Sequence, residues 1–154
     1  MTMKKPMYSK ILVGLLLLWA GLALGGNLIA APAKFQVQSL TLEDLLRVGR
    51  AQFSWLGYAE MALAAGAIVL SFLVKRMWYT LVAAVSLFGV QQLVLQPMLE
   101  ARTDLILAGL PNGGDHYHIW FVAAEVAKFV LLIVAAWQVS SNQPQRQSFA
   151  AQAT

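Results

Sequence analysis

Four predominantly apolar stretches dominate the chain: about Ile11 to Leu28 or Ala31, about Phe53 to Val74, about Met77 to Met98, and about Ile119 to Val139. Each is close to the ~20 residues that a helix needs to cross a hydrocarbon core of roughly 30 Å. Inside lipid the backbone must satisfy its own hydrogen bonds, so stretches like these become helices. A β-barrel would need apolar and polar residues in alternation, and these stretches are continuous. The expected fold class is therefore all-α: an integral-membrane four-helix bundle with short loops. Residues 1–139 form the four-span domain, and residues 140–154, rich in Gln, Ser and Ala, are read as a disordered cytoplasmic tail.

Composition closes off the other classes. Only 12% of the 154 residues are charged and 59% are hydrophobic, whereas soluble domains carry about 25% charged residues. Disorder needs far less apolar content. There is no cysteine, which removes disulfides, thiolate catalysis and iron–sulfur ligation from consideration. The net charge of +4 is spread along the chain without a basic helix, so nucleic acid is not an expected partner.

The basic residues fit an orientation signal. Lys4, Lys5 and Lys10 precede span one, Lys75 and Arg76 form the turn between spans two and three, and Arg146 lies in the tail. The other loops hold Lys34, Arg47, Arg50 and Arg102 together with Glu43, Asp44, Glu100, Asp104 and Asp115. By the positive-inside rule both termini are cytoplasmic in a cell inner membrane. Aromatic residues mark the span ends, with Phe53, Trp55 and Tyr58, and Tyr117, Trp120 and Phe121, on one side and Trp78, Tyr79 and Trp137 on the other. The first stretch is read as a span, because it is longer than the 7–15 residues of a secretory apolar region.

The loops carry helix signals. Thr41 ahead of Glu43 and Asp44 marks a helix start, which belongs either to an interfacial helix or to an extension of span two. Span three is expected to run on through Glu100 and Asp104 to Ala108, with Gly109 and Pro111 as stops. Asn112-Gly113-Gly114 reads as a turn, and Asp115 as the cap of span four.

Ionisable groups are costly inside a span and often mark function. Here they are Glu60, Glu125 and Lys128, with the amides Asn27, Gln91, Gln92 and Gln96. At about 1.5 Å per residue, all four spans place these groups at a similar level beneath the external surface. Gly57, Glu60, Ala64, Ala67 and Ser71 share one face of span two, and Phe121, Glu125, Lys128, Leu132 and Ala135 one face of span four. Gln92 and Gln96 share a face of span three with Gly89, and Gly21 and Gly25 form a GxxxG on span one. Glu125 and Lys128, three apart, can pair on their own helix. Two readings stay open. The cluster is an ion pair with interhelical hydrogen-bond glue, or it is a polar pocket in which Lys128 binds an anionic or carbonyl group and Glu60 exchanges protons. His116 and His118 beside Asp115 form a weak candidate for a divalent ion, and no metal or cofactor is expected.

The residues Gly25-Gly26-Asn27 and Pro32-Ala33-Lys34-Phe35, the stretch Gln92 to Arg102, and a histidine before the last span resemble the transmembrane-protein-205-type family of small four-span proteins. The resemblance implies a four-helix membrane protein and brings no reaction or site residue with it. The Glu125–Lys128 pair departs from it. The functional expectation is an accessory or scaffold protein, not an enzyme, whose partners are the bilayer and another membrane protein or a second copy. The alternatives are a small-solute or proton-coupled transporter using Glu60 and Lys128, and an enzyme acting on a lipid or quinone-like substrate.

Overall fold

The computed structural model describes residues 4–111 and 116–141. Among them there is no strand, and four helices are long and apolar enough to cross a membrane. The expected Asn112–Gly114 turn, the Asp115 cap and nearly all of the expected tail, with Arg146, lie outside the described residues. The last helix continues two residues past Val139, so Ser140 and Ser141 belong to it and not to a tail.

Helix α1 covers Lys4–Leu22 and passes into a π-helical segment, Ala23–Ala30. One further turn, Ala31–Ala33, and a 3₁₀ turn, Lys34–Gln36, bring the helical path to its end at Val37, whose backbone is extended. Helix α2 is Leu42–Val74. It starts at a capping box: the Asp44 amide donates to Thr41 Oγ1 at 3.1 Å, and the Thr41 amide donates to Asp44 Oδ2 at 3.2 Å. The polar segment 42–52 is thus an extension of span two, held on its exposed side by an Arg47–Glu43 pair at 2.6 Å. At about 1.5 Å per residue the 33 residues of α2 run ~50 Å, longer than a hydrocarbon core.

Lys75 ends α2 with φ 59°, the left-handed conformation that closes a helix. Helix α3 is Tyr79–Val90 and continues through a π-helical turn, Gln91–Leu95, into α4, Gln96–Leu107. Gly109, with φ +68°, stops it where the sequence places a stop. Helix α5 is His116–Ser141.

Close packing runs α2–α1–α5–α3 across the bundle. Leu12, Leu16, Trp19 and Ala20 of α1, Ala64 and Ala67 of α2, Leu81, Ala84 and Phe88 of α3, and Leu132, Ala135 and Val139 of α5 form the core. The buried faces of α2 and α5 are those read from three-and-four spacing. Span one differs: Gly21 and Gly25 face outward, with open space where a side chain would stand. The bulky stripe Leu12, Leu16 and Trp19 turns inward instead. Trp55, Tyr58, Tyr79, Trp120 and Trp137 are exposed near span ends as expected, whereas Trp78 and Phe121 are buried and pack inside the bundle.

Candidate functional site

The stripe of α2 brings Glu60 to the bundle axis, and the stripe of α5 brings Glu125 and Lys128 to the same place. Both carboxylates and the ammonium are 1–2% exposed. Lys128 Nζ bonds to Glu60 Oε2 across the bundle and reaches Glu125 Oε2 at 3.0 Å on its own helix. A buried charge is tolerable only when it is paired and its remaining atoms are hydrogen-bonded, and the neighbouring helices supply what is needed. From α1, Trp19 Nε1 donates to Glu60 Oε2 at 3.0 Å. From the π segment that follows, Asn27 Nδ2 donates to Glu60 Oε1 at 3.2 Å and to Glu125 Oε1 at 3.0 Å. From the π turn after α3, Gln91 Nε2 donates to Glu125 Oε2 at 2.8 Å and to the Phe121 carbonyl at 3.4 Å. Each carboxylate oxygen therefore accepts at least one hydrogen bond, and all four spans contribute. Phe88 closes the cluster on one side, its ring 5.3 Å from Lys128 Nζ and in edge contact with Trp19.

Two of the amides expected here sit elsewhere. Gln92 is half-buried and packs on Gly57, where an added Cβ would stand 2.8 Å from its Oε1. Gln96 donates to Glu100 on its own helix at 3.3 Å. The face of span three that turns inward is set by Leu81, Ala84 and Phe88, and three-and-four spacing from those leads to Gln91. Reading the face from Gly89 puts it one residue out. Trp19 belongs to the site although the sequence reading does not include it. Its signal is that it falls on the inward stripe of span one with an indole N–H that needs a partner once buried. His116 and His118 are exposed, and no group of three metal-type side chains occurs among the described residues. Asp115 lies outside the described residues.

The two π segments coincide with the cluster. Such segments shift the register of a helix and recur at functional sites. The first carries Asn27, and its Gly26 carbonyl also accepts from Gln52 Nε2 on α2 at 2.7 Å. Close approach of α1 and α2 there depends on Gly26, since a Cβ would meet Leu56 Cδ2 at 2.6 Å.

Beyond the cluster, toward the end of the bundle with the 37–41 connection, lies a cavity of about 920 Å³. Asn27 and Glu125 are shared between the cluster and its lining. Its walls are mostly apolar, from Leu28 and Ala31 after α1, Leu45 and Leu46 of α2, Ile106 of α4 and Ile119 of α5. Lys34, Arg50, Glu100 and Arg102 supply charge. Pockets of this size commonly hold one small organic molecule.

Comparison with protein-family models, with curated proteins and with solved structures found no match for the chain.

Proposed function

We propose that this is a small non-enzymatic inner-membrane protein, an accessory component that holds one amphiphilic molecule in the cavity between Leu28, Leu46, Ile106 and Ile119. The observation that carries the reading is the cavity itself: a volume of about 920 Å³ with apolar walls and a few converging polar groups. The charge cluster is the frame beneath it. Glu60 and Lys128 are nearly inaccessible and are tied to each other, to Trp19 and Asn27 of span one and to Glu125 of span four, which favours a cross-link over a moving charge carrier.

The proposed orientation puts both termini in the cytoplasm, and hence the cavity toward the external side. Lys5 and Lys10 ahead of the apolar part of α1, and Lys75 and Arg76 between α2 and α3, support it. The resemblance to the transmembrane-protein-205-type family is kept as a proposal of relationship alone.

Native mass spectrometry of the full chain from mild detergent tests the binding role. The wild-type protein is expected to carry a small apolar adduct, and Leu46→Trp, which fills the cavity, is expected to lose it while staying folded. A wild-type protein that carries no adduct and gains no thermal stability from any added amphiphile overturns the reading. A second reading, association with another membrane helix, is favoured by the outward-facing Gly21 and Gly25, a small-residue pair with open space around it. The same spectra report it as a dimer or a co-purifying subunit that Gly21→Leu removes.

A further inference from the structure

We propose that the ligand of the cavity is a long-chain carboxylate, its acidic head seated on Lys34 and its chain laid along the apolar walls. The inference rests on the binding role argued above and adds the chemical class of the ligand.

Lys34 is the reason. Its side chain is half-buried and lines the cavity. The ammonium is held between two aromatic faces, 5.5 Å from the centroid of Phe35 and 5.5 Å from that of Phe53. It also fills the space left by Gly49, where an added Cβ would stand 2.5 Å from Nζ. Among the described residues no carboxylate lies within ion-pair distance of it. Other cations in this half of the molecule have one: Arg47 pairs with Glu43, Arg50 with Asp104 at 2.5 Å, and Lys128 with both buried glutamates. A positioned, partly desolvated ammonium on an apolar wall lacks only an anion. A single carboxylate matches its single charge, and a charge-assisted hydrogen bond there is stronger than a neutral one.

The polarity of the cavity also sets the direction of the ligand. Glu125 stands at the inner end, and an anionic head there would meet a like charge. At the other end stands Lys34, with no carboxylate beside it among the described residues. The head therefore lies at Lys34, and the chain runs past Leu28, Leu46 and Ile119. A volume of about 920 Å³ is suited to a single-chain molecule.

The test measures binding of oleate and of oleyl alcohol, its uncharged counterpart, to the full chain in non-ionic detergent, by thermal shift and by native mass spectrometry. Oleate is expected to bind the wild-type protein at least tenfold more tightly than the alcohol. Lys34→Gln is expected to bring oleate down to the level of the alcohol. Lys34→Arg keeps the preference, and Gly49→Ala, which displaces the ammonium while leaving its charge, reduces it. Equal affinity for the two probes, or an oleate affinity indifferent to Lys34→Gln, overturns the inference while leaving the binding role standing. A wild-type protein that retains a two-chain phospholipid and takes up no oleate also overturns it. If neither oleate nor any other amphiphile binds or stabilises the wild-type protein, the binding role falls as well.

Discussion

Lys128 serves two carboxylates at once, and that arithmetic governs what the buried residues tolerate. Lys128 touches both Glu60 and Glu125, whereas each acid touches one cation, so the cluster depends on Lys128 more than on either acid. Removing one partner from a buried pair typically costs 3–5 kcal/mol, because the other charge stays behind. Lys128→Met strands both acids and is expected to destabilise by about 4 kcal/mol or more. Glu125→Gln leaves the Lys128–Glu60 pair intact but turns one of its two acceptor oxygens into a donor, so one of Asn27 and Gln91 loses its acceptor and the expected cost is smaller, about 1–2 kcal/mol. Unfolding of both variants in detergent micelles, followed by far-ultraviolet circular dichroism, gives the ranking, and equal losses would remove this account. Glu60, Glu125 and Lys128 were legible one residue at a time, since charges inside apolar stretches stand out. Trp19 was not, because an indole reads equally well as an interface anchor or as packing. Gln91 and Gln92 are adjacent and chemically identical, so only the phase of the helix separates them.

At the scale of the element, the helix boundaries follow local chemistry closely. Thr41 and Asp44 begin α2, Lys75 closes it in a left-handed turn, and Gly109 ends α4. Thr41→Ala removes the capping hydroxyl and is expected to cost about 1 kcal/mol. The loss falls on the first turn of α2, where hydrogen exchange of the Asp44 and Leu45 amides should quicken while exchange around Glu60 stays unchanged. The choice between an interfacial helix and an extension of span two could not be made from residues 42–52 alone, whose amphipathic pattern suits both. It was settled by continuity with the apolar stretch, by Arg50 reaching Asp104 and the Glu100 carbonyl on α4, and by Gln52 reaching Gly26. The π segments had no local signature. In the first of them the Gly26 carbonyl accepts from Gln52, a residue distant in sequence, as well as from the Ala31 amide.

For the whole molecule, the proposed orientation predicts a topology that reporter fusions can read. Alkaline phosphatase inserted between Pro111 and His116 is expected to be active, and fused after Thr154 inactive, with a fluorescent protein giving the opposite pattern. A reversed result would move the cavity to the cytoplasmic side without changing its chemistry. Hydropathy alone determined that the chain makes four apolar helices, because the energy of exposing backbone in lipid leaves no competing structure. Spacing alone determined the inward faces of spans two and four, because their charges cannot be turned toward acyl chains without large cost. Tertiary structure decided the rest: which glutamine joins the cluster, that Trp19 and Asn27 hold Glu60, that Gly21 and Gly25 turn outward, and that four helix ends enclose a cavity with Lys34 at its wall. These features depend on distances between segments up to 98 residues apart, and a register shift of one residue, as in the two π segments, is enough to exchange which side chain faces the centre.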